Sequence, residues 1–165
     1  MLFTLVYNNP PRAVLAFRNS FITTDDQSTF ICEMMSSDPD DHEDDVNCNI
    51  DFATFVSIDS KDFQHVVEEF RNIITVYVFV TNLQVRFTCA LKEIILSQVE
   101  EQCIIGGIED GQEIQFVITL HPSRFFNELS SQVGRVWLYR TKDARGAIFA
   151  PIDSNAQFEV YFPII

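Results

Sequence analysis

Six carboxylates crowd into residues 38–45 (Asp38, Asp40, Asp41, Glu43, Asp44, Asp45), and oxygen donors at that density are the raw material of a calcium site. The run lacks the glycine and the closing glutamate that a helix–loop–helix calcium loop needs, so it reads as a solvated linker. His42, His65 and His121, with Cys32, Cys48, Cys89 and Cys103, are zinc-ligand residue types. No pair among them has the spacing typical of structural zinc, and buried cysteines with surface histidines are the expected reading. Gly106, Gly107 and Gly111 bracket Ile108, Glu109 and Asp110 without a following Lys-Ser/Thr, which makes them a turn rather than a phosphate cradle. There is no Gly-x-Ser-x-Gly, and Glu68 and Glu69, adjacent on a helix, do not face one another. Nothing here assembles a reaction centre: no catalysis and no cofactor are expected.

Charge narrows the partners. The 165 residues carry 24 acidic against 11 basic side chains, a net charge of −13. Attraction of the whole surface to nucleic acid is excluded, so any such contact must come from a local basic face. No apolar run reaches the roughly 18 residues of a membrane span, and the N-terminal segment does not read as a signal peptide. Widely spaced cysteines suit a reducing compartment.

The elements that position these residues follow from periodicity. Segments 2–7 and 13–17 flank Asn8-Asn9-Pro10-Pro11 and read as a hairpin, with 28–34 as a third strand. Strand 52–58 leads to the cap Asp59-Ser60 and a helix whose Phe63, Val66, Val67 and Phe70 form one apolar stripe. Strands 74–80, 84–90 and 93–99 follow. The order then repeats: strand 113–120, a helix opened by His121-Pro122-Ser123 with Phe125, Phe126 and Leu129 inward, and strands 135–140, 146–152 and 157–163. Strand–helix–three strands thus occurs twice, with a period of about 60 residues, Phe63 answering Phe125. The expected fold class is α+β, with each helix covering one face of its own unit's sheet and the two helices side by side on one surface.

The segments VSIDSKDFQHVVEEFRNI (56–73), FICEMM (30–35) running into the acidic linker, IQFVITLHPSRFFNELS (114–130) and QFEVYFPII (157–165) resemble the DNA sliding clamp family. That family includes both the replicative clamp and the related heterotrimeric checkpoint clamp, which RGAIFAPID (145–153) also suits. The resemblance implies a sliding-clamp fold of two β-α-β-β-β units, with 1–35 ending a first domain, 36–51 as connecting loop and 52–165 as a complete domain. It implies a nuclear, non-enzymatic scaffold or processivity factor, working as a homo- or hetero-oligomer. Duplex DNA would lie against the helices, and replication or repair proteins would dock through short peptides. Carried onto this chain, Lys61, His65, Arg71, Arg124 and Arg135 are the DNA-facing candidates, while Val46, Ile50, Tyr161, Phe162 and Pro163 would bind partners. Glu68, Glu69 and Glu128 depart from a basic inner wall and subtract from phosphate affinity. One domain with about 35 further residues also leaves strand edges that recruit partners, so self-association, or rearrangement of 1–35 onto the single domain, is expected.

Overall fold

Alternating side chains set the strands, and the computed structural model describes residues 2–6, 12–14, 50–121, 123–153 and 156–162. In chain order these are β1 (Leu2–Val6), β2 (Arg12–Val14), β3 (Ile50–Asp59), α1 (Ser60–Glu69), β4 (Val76–Val80), β5 (Gln84–Cys89), β6 (Lys92–Ser97), β7 (Cys103–Gly106), β8 (Ile114–Ile118), α2 (Ser123–Gln132), β9 (Arg135–Thr141), β10 (Gly146–Asp153) and β11 (Ala156–Tyr161). Val76, Val78 and Val80 of β4, and Val85, Phe87 and Cys89 of β5, point inward, as a period of two requires. The third predicted strand (28–34) and the acidic linker lie outside the described residues.

Two sheets result, one of seven strands in the order β2-β1-β11-β10-β9-β3-β7 and one of four in the order β6-β5-β4-β8. All pairings between their strands are antiparallel except β1 on β11, which is parallel. The β1–β2 hairpin forms as the turn cluster predicts, and it extends the sheet of residues 50–162 at its β11 edge.

The repeat is present, with two corrections. Each unit lends its first strand to the other: the order β3-β9-β10-β11 in the large sheet is matched by β8-β4-β5-β6 in the small one. Val56 opposite Leu138 corresponds to Ile118 opposite Val76. So α1 does not cover a sheet made of its own unit alone, as expected above; it packs on its unit's first strand, β3, together with β9 of the other unit. The second correction concerns the helices, whose buried positions Phe63, Val66, Val67 and Phe70 are matched by Phe126, Leu129, Ser130 and Val133. That match makes Phe126, not Phe125, the counterpart of Phe63. Their rings meet edge-to-face at 6.5 Å and both are fully buried, whereas Phe125 keeps partial exposure. When two equivalent residues touch, they straddle the twofold axis that relates them. The internal pseudo-dyad therefore runs between Phe63 and Phe126, where α1 and α2 pack directly together.

Asp59 caps α1, its carboxylate accepting the Lys61 N–H at 3.0 Å, and Asp62 lies in the first turn. The Ser60 N–H reaches the Gly134 carbonyl at 3.1 Å, so the start of α1 is tied to the exit from α2. One continuous core joins both sheets and both helices, including Ile58, Phe63, Phe70, Phe87, Phe116, Phe126, Leu138 and Ile148. Strand β7 was not expected from sequence; it adds to the outer edge of β3 and brings Cys103 into the core. Gly107 and Gly111, both at positive φ, form the turn beyond it, as the glycine spacing predicted.

Candidate functional site

The helical surface gathers most of the predicted cations. Lys61 and His65 stand exposed on α1, Arg71 is exposed just past its end, and Arg124 is exposed on the first turn of α2. Between the helices lies a cleft of about 540 Å³, lined by Glu68 and Arg71 on one side and Ser123, Arg124, Asn127 and Glu128 among others on the other. Its charges interleave. Arg124 Nε donates to Glu128 Oε1 at 2.8 Å, one helical turn apart, and this pairing raises the arginine's pKa. At such exposure the pair contributes little to stability, but it lowers the charge Arg124 shows to an incoming phosphate. The Asn127 Oδ1 is buried in the same region without a hydrogen-bond partner among the described residues.

Arg135 has a different setting. It opens β9 and is half-buried, its Nε donating to Ser57 Oγ at 2.8 Å and its Nη2 to the Ser57 carbonyl at 2.9 Å. Ser57 is itself fully buried in β3. The guanidinium therefore clasps the seam where strands of the two units meet. Hydrogen bonds from a charged group contribute about 1.5–3 kcal/mol. Arg135→Gln should lose stability on that scale in urea denaturation while leaving any salt-dependent nucleic-acid affinity unchanged. A variant as stable as the parent but weaker on DNA would instead make Arg135 a phosphate contact.

The structure does not gather the predicted partner-binding residues into one described surface. Val46 and Pro163 are outside the described residues. Ile50 is half-buried at the start of β3, and Phe162 is buried just past β11. Tyr161 is partly buried, its hydroxyl donating to Glu159 Oε2 at 2.8 Å. Sequence reasoning missed what surrounds Tyr161. Phe52, Phe55, Trp137, Tyr139 and Phe149 share the face of the seven-stranded sheet that points away from α1. Phe52, Tyr139, Phe149 and Tyr161 form a chain of rings across four strands, with Phe52–Tyr139 at 5.2 Å, Tyr139–Phe149 at 5.1 Å and Phe149–Tyr161 at 6.0 Å, and Phe55 and Trp137 form a separate pair at 5.2 Å. Burial pushes the Tyr139 hydroxyl pKa up. The signal was available in RVWLYR, where Val136 and Leu138 face inward and Trp137 and Tyr139 outward, so both faces of β9 are apolar.

Of the zinc-ligand types, Cys89 and Cys103 are buried thiols. Burial raises the Cys103 pKa, and its Sγ lies 3.4 Å from the Leu96 carbonyl as a donor. A protonated, enclosed thiol is a packing group. Among the described residues no helix is long and apolar enough to cross a membrane. Compared with known proteins, the chain matches no family model and no curated sequence.

Proposed function

We propose that this chain is a clamp-type scaffold of the DNA sliding clamp kind, adhesive and topological in its work rather than catalytic. It acts in the nucleus as part of a homo- or hetero-oligomer that tethers replication or repair proteins to duplex DNA. The observation that carries the reading is the exchange of first strands between two β-α-β-β-β units, which brings α1 and α2 together about an internal dyad. Such an arrangement gives one helical face and one flat β face on the same body, which suits a wall with duplex on one side and proteins on the other. Lys61, His65, Arg71 and Arg124 supply the local cations of the helical face. A subunit of the checkpoint type of clamp is the same proposal with different partners. On this reading residues 1–35 end a first domain, 36–51 connect, and 52–165 form the complete domain.

The test is retention on plasmid DNA in a salt series. A clamp stays on nicked circles and runs off the same plasmid once it is linearised. Residual affinity falls as salt rises, because each phosphate neutralised releases counterions. Equal retention on circle and line, at any salt, would end the topological part of the proposal.

A second reading has its own observation. Asp62, Glu68, Glu69 and Glu128 equal in number the four cations Lys61, His65, Arg71 and Arg124, and Arg124 is already paired. An interaction module with this fold that no longer encircles DNA would show no plasmid retention yet still bind partner peptides.

A further inference from the structure

The internal dyad makes the two sheets equivalent in pairing order, so differences between their outer faces are a choice of sequence rather than of fold. On the small sheet the outward positions mix paired charges with exposed apolar side chains such as Tyr77 and Ile95. Arg86 lies 4.7 Å over the Phe79 ring and within 3.9 and 3.7 Å of Glu93 and Glu113. On the large sheet the outward positions carry the aromatic side chains described above, and Glu159 stands directly opposite Phe149 in the pairing of β10 and β11.

Glu159 is held but not neutralised. Gln157 Nε2 donates to its Oε1 at 2.6 Å and the Tyr161 hydroxyl to its Oε2, both uncharged donors. A carboxylate has about four acceptor positions, so roughly two remain open. Among the described residues no cation lies within ion-pairing distance of it. Beside it the partly exposed Tyr139 and the 62% exposed Phe52 present apolar and π surface, backed by the buried ring of Phe149, which both of them contact. A carboxylate beside aromatic faces attracts a cation twice over, by charge and by ring quadrupole, while the rings accept the apolar stem of the same side chain.

We propose that this outer face, centred on Glu159 and bounded by Phe52, Tyr139, Phe149 and Tyr161, docks a basic segment of a partner protein. A lysine or arginine of that segment meets the Glu159 carboxylate, and its apolar neighbours lie across the rings. Charge selects this occupant over two others. A second copy of the chain brings a net charge of −13 of its own, and residues 15–49 carry one arginine against nine carboxylates. The proposal stands whether or not the helical face holds DNA, because it uses the opposite side of the sheet.

The only tryptophan in the sequence, Trp137, lies on this face, opposite Phe149 in the pairing of β9 and β10, and its emission reports occupancy. The probes are two short blocked peptides, one alternating lysine with leucine and one alternating glutamate with leucine, titrated into the full chain. The lysine peptide should change Trp137 emission saturably and the glutamate peptide should not. Glu159→Gln and, separately, Phe52→Ala should each weaken the lysine peptide by about tenfold or more. Circular dichroism melts confirm that both variants are folded. Binding of the lysine peptide unaltered in both variants would trace the attraction to the general acidity of the chain and overturn the proposal. Two observations on the free protein would overturn it as well. Emission that shifts with protein concentration alone would assign the face to a second copy. A Trp137 fully shielded from acrylamide would assign it to the chain's own residues.

Discussion

Phe63→Ala should lower the stability of the fold by about 3–5 kcal/mol, and Phe126→Ala by a similar amount. Both side chains are 0% exposed. Each deletion leaves a cavity that the facing strands cannot close, because β3, β9, β4 and β8 are held in register by their ladders. Against a total of about 5–15 kcal/mol for a domain, one such change removes a large share. The two rings touch across the pseudo-dyad, so the double variant should be less destabilised than the sum by about 0.5–1.5 kcal/mol. Phe125, partly exposed and touching Phe126 from outside the helix contact, should cost distinctly less on truncation. Urea denaturation followed by far-UV circular dichroism measures all four. If Phe125→Ala proved as damaging as Phe126→Ala, the dyad would have been placed through the wrong pair.

That pair also shows where the sequence is legible and where it is not. The stripe Phe63, Val66, Val67, Phe70 can be read because helical periodicity is local, and Phe125 and Phe126 both suit an apolar face. Choosing between them requires the partner helix, which lies about 60 residues away in the repeat. The exchange of β3 and β8 between units is hidden for the same reason: alternation says that a residue is in a strand, not which strand it pairs with. The same distance hides the task of Arg135, whose acceptor Ser57 is 78 residues distant. Strand β7 escapes because it has only four residues and ends in glycine. The many phenylalanines invite one reading, a buried core, and Phe63, Phe70, Phe87, Phe116 and Phe126 obey it. Phe52 and Phe55 do not, and Trp137 and Tyr139 beside them carry the hint, since a strand that is apolar on both sides has something to cover on each.

The second large effect is expected at Gly107, where alanine should destabilise by about 2–5 kcal/mol. Its φ of +76° lies in the region that costs an L-residue about 1–2 kcal/mol. Overpacking adds about 1–3 kcal/mol more, because a Cβ there would overlap the carbonyl oxygen of Ala53. That oxygen belongs to backbone, so no rotamer change relieves the overlap. It also lies in the stretch of β3 between Asp51 and Phe55 where the register with β9 shifts, and where Thr54 Oγ1 donates to the Gly107 carbonyl at 3.4 Å. The chain can escape only by moving the turn, and β7 moves with it. Gly111 supplies the control: its φ is +79°, but a Cβ there meets open space, so Gly111→Ala should show the conformational cost alone, about 1–2 kcal/mol. Displacement of β7 has a chemical signature too, because that strand carries Cys103, 1% exposed and kept protonated by burial. In native buffer Cys103 should resist thiol reagents in the parent and in Gly111→Ala. It should react faster in Gly107→Ala, with the labelled site identified by mass spectrometry. If Gly107→Ala matched Gly111→Ala in both urea midpoint and Cys103 labelling, the close approach of the turn to β3 would have no energetic weight.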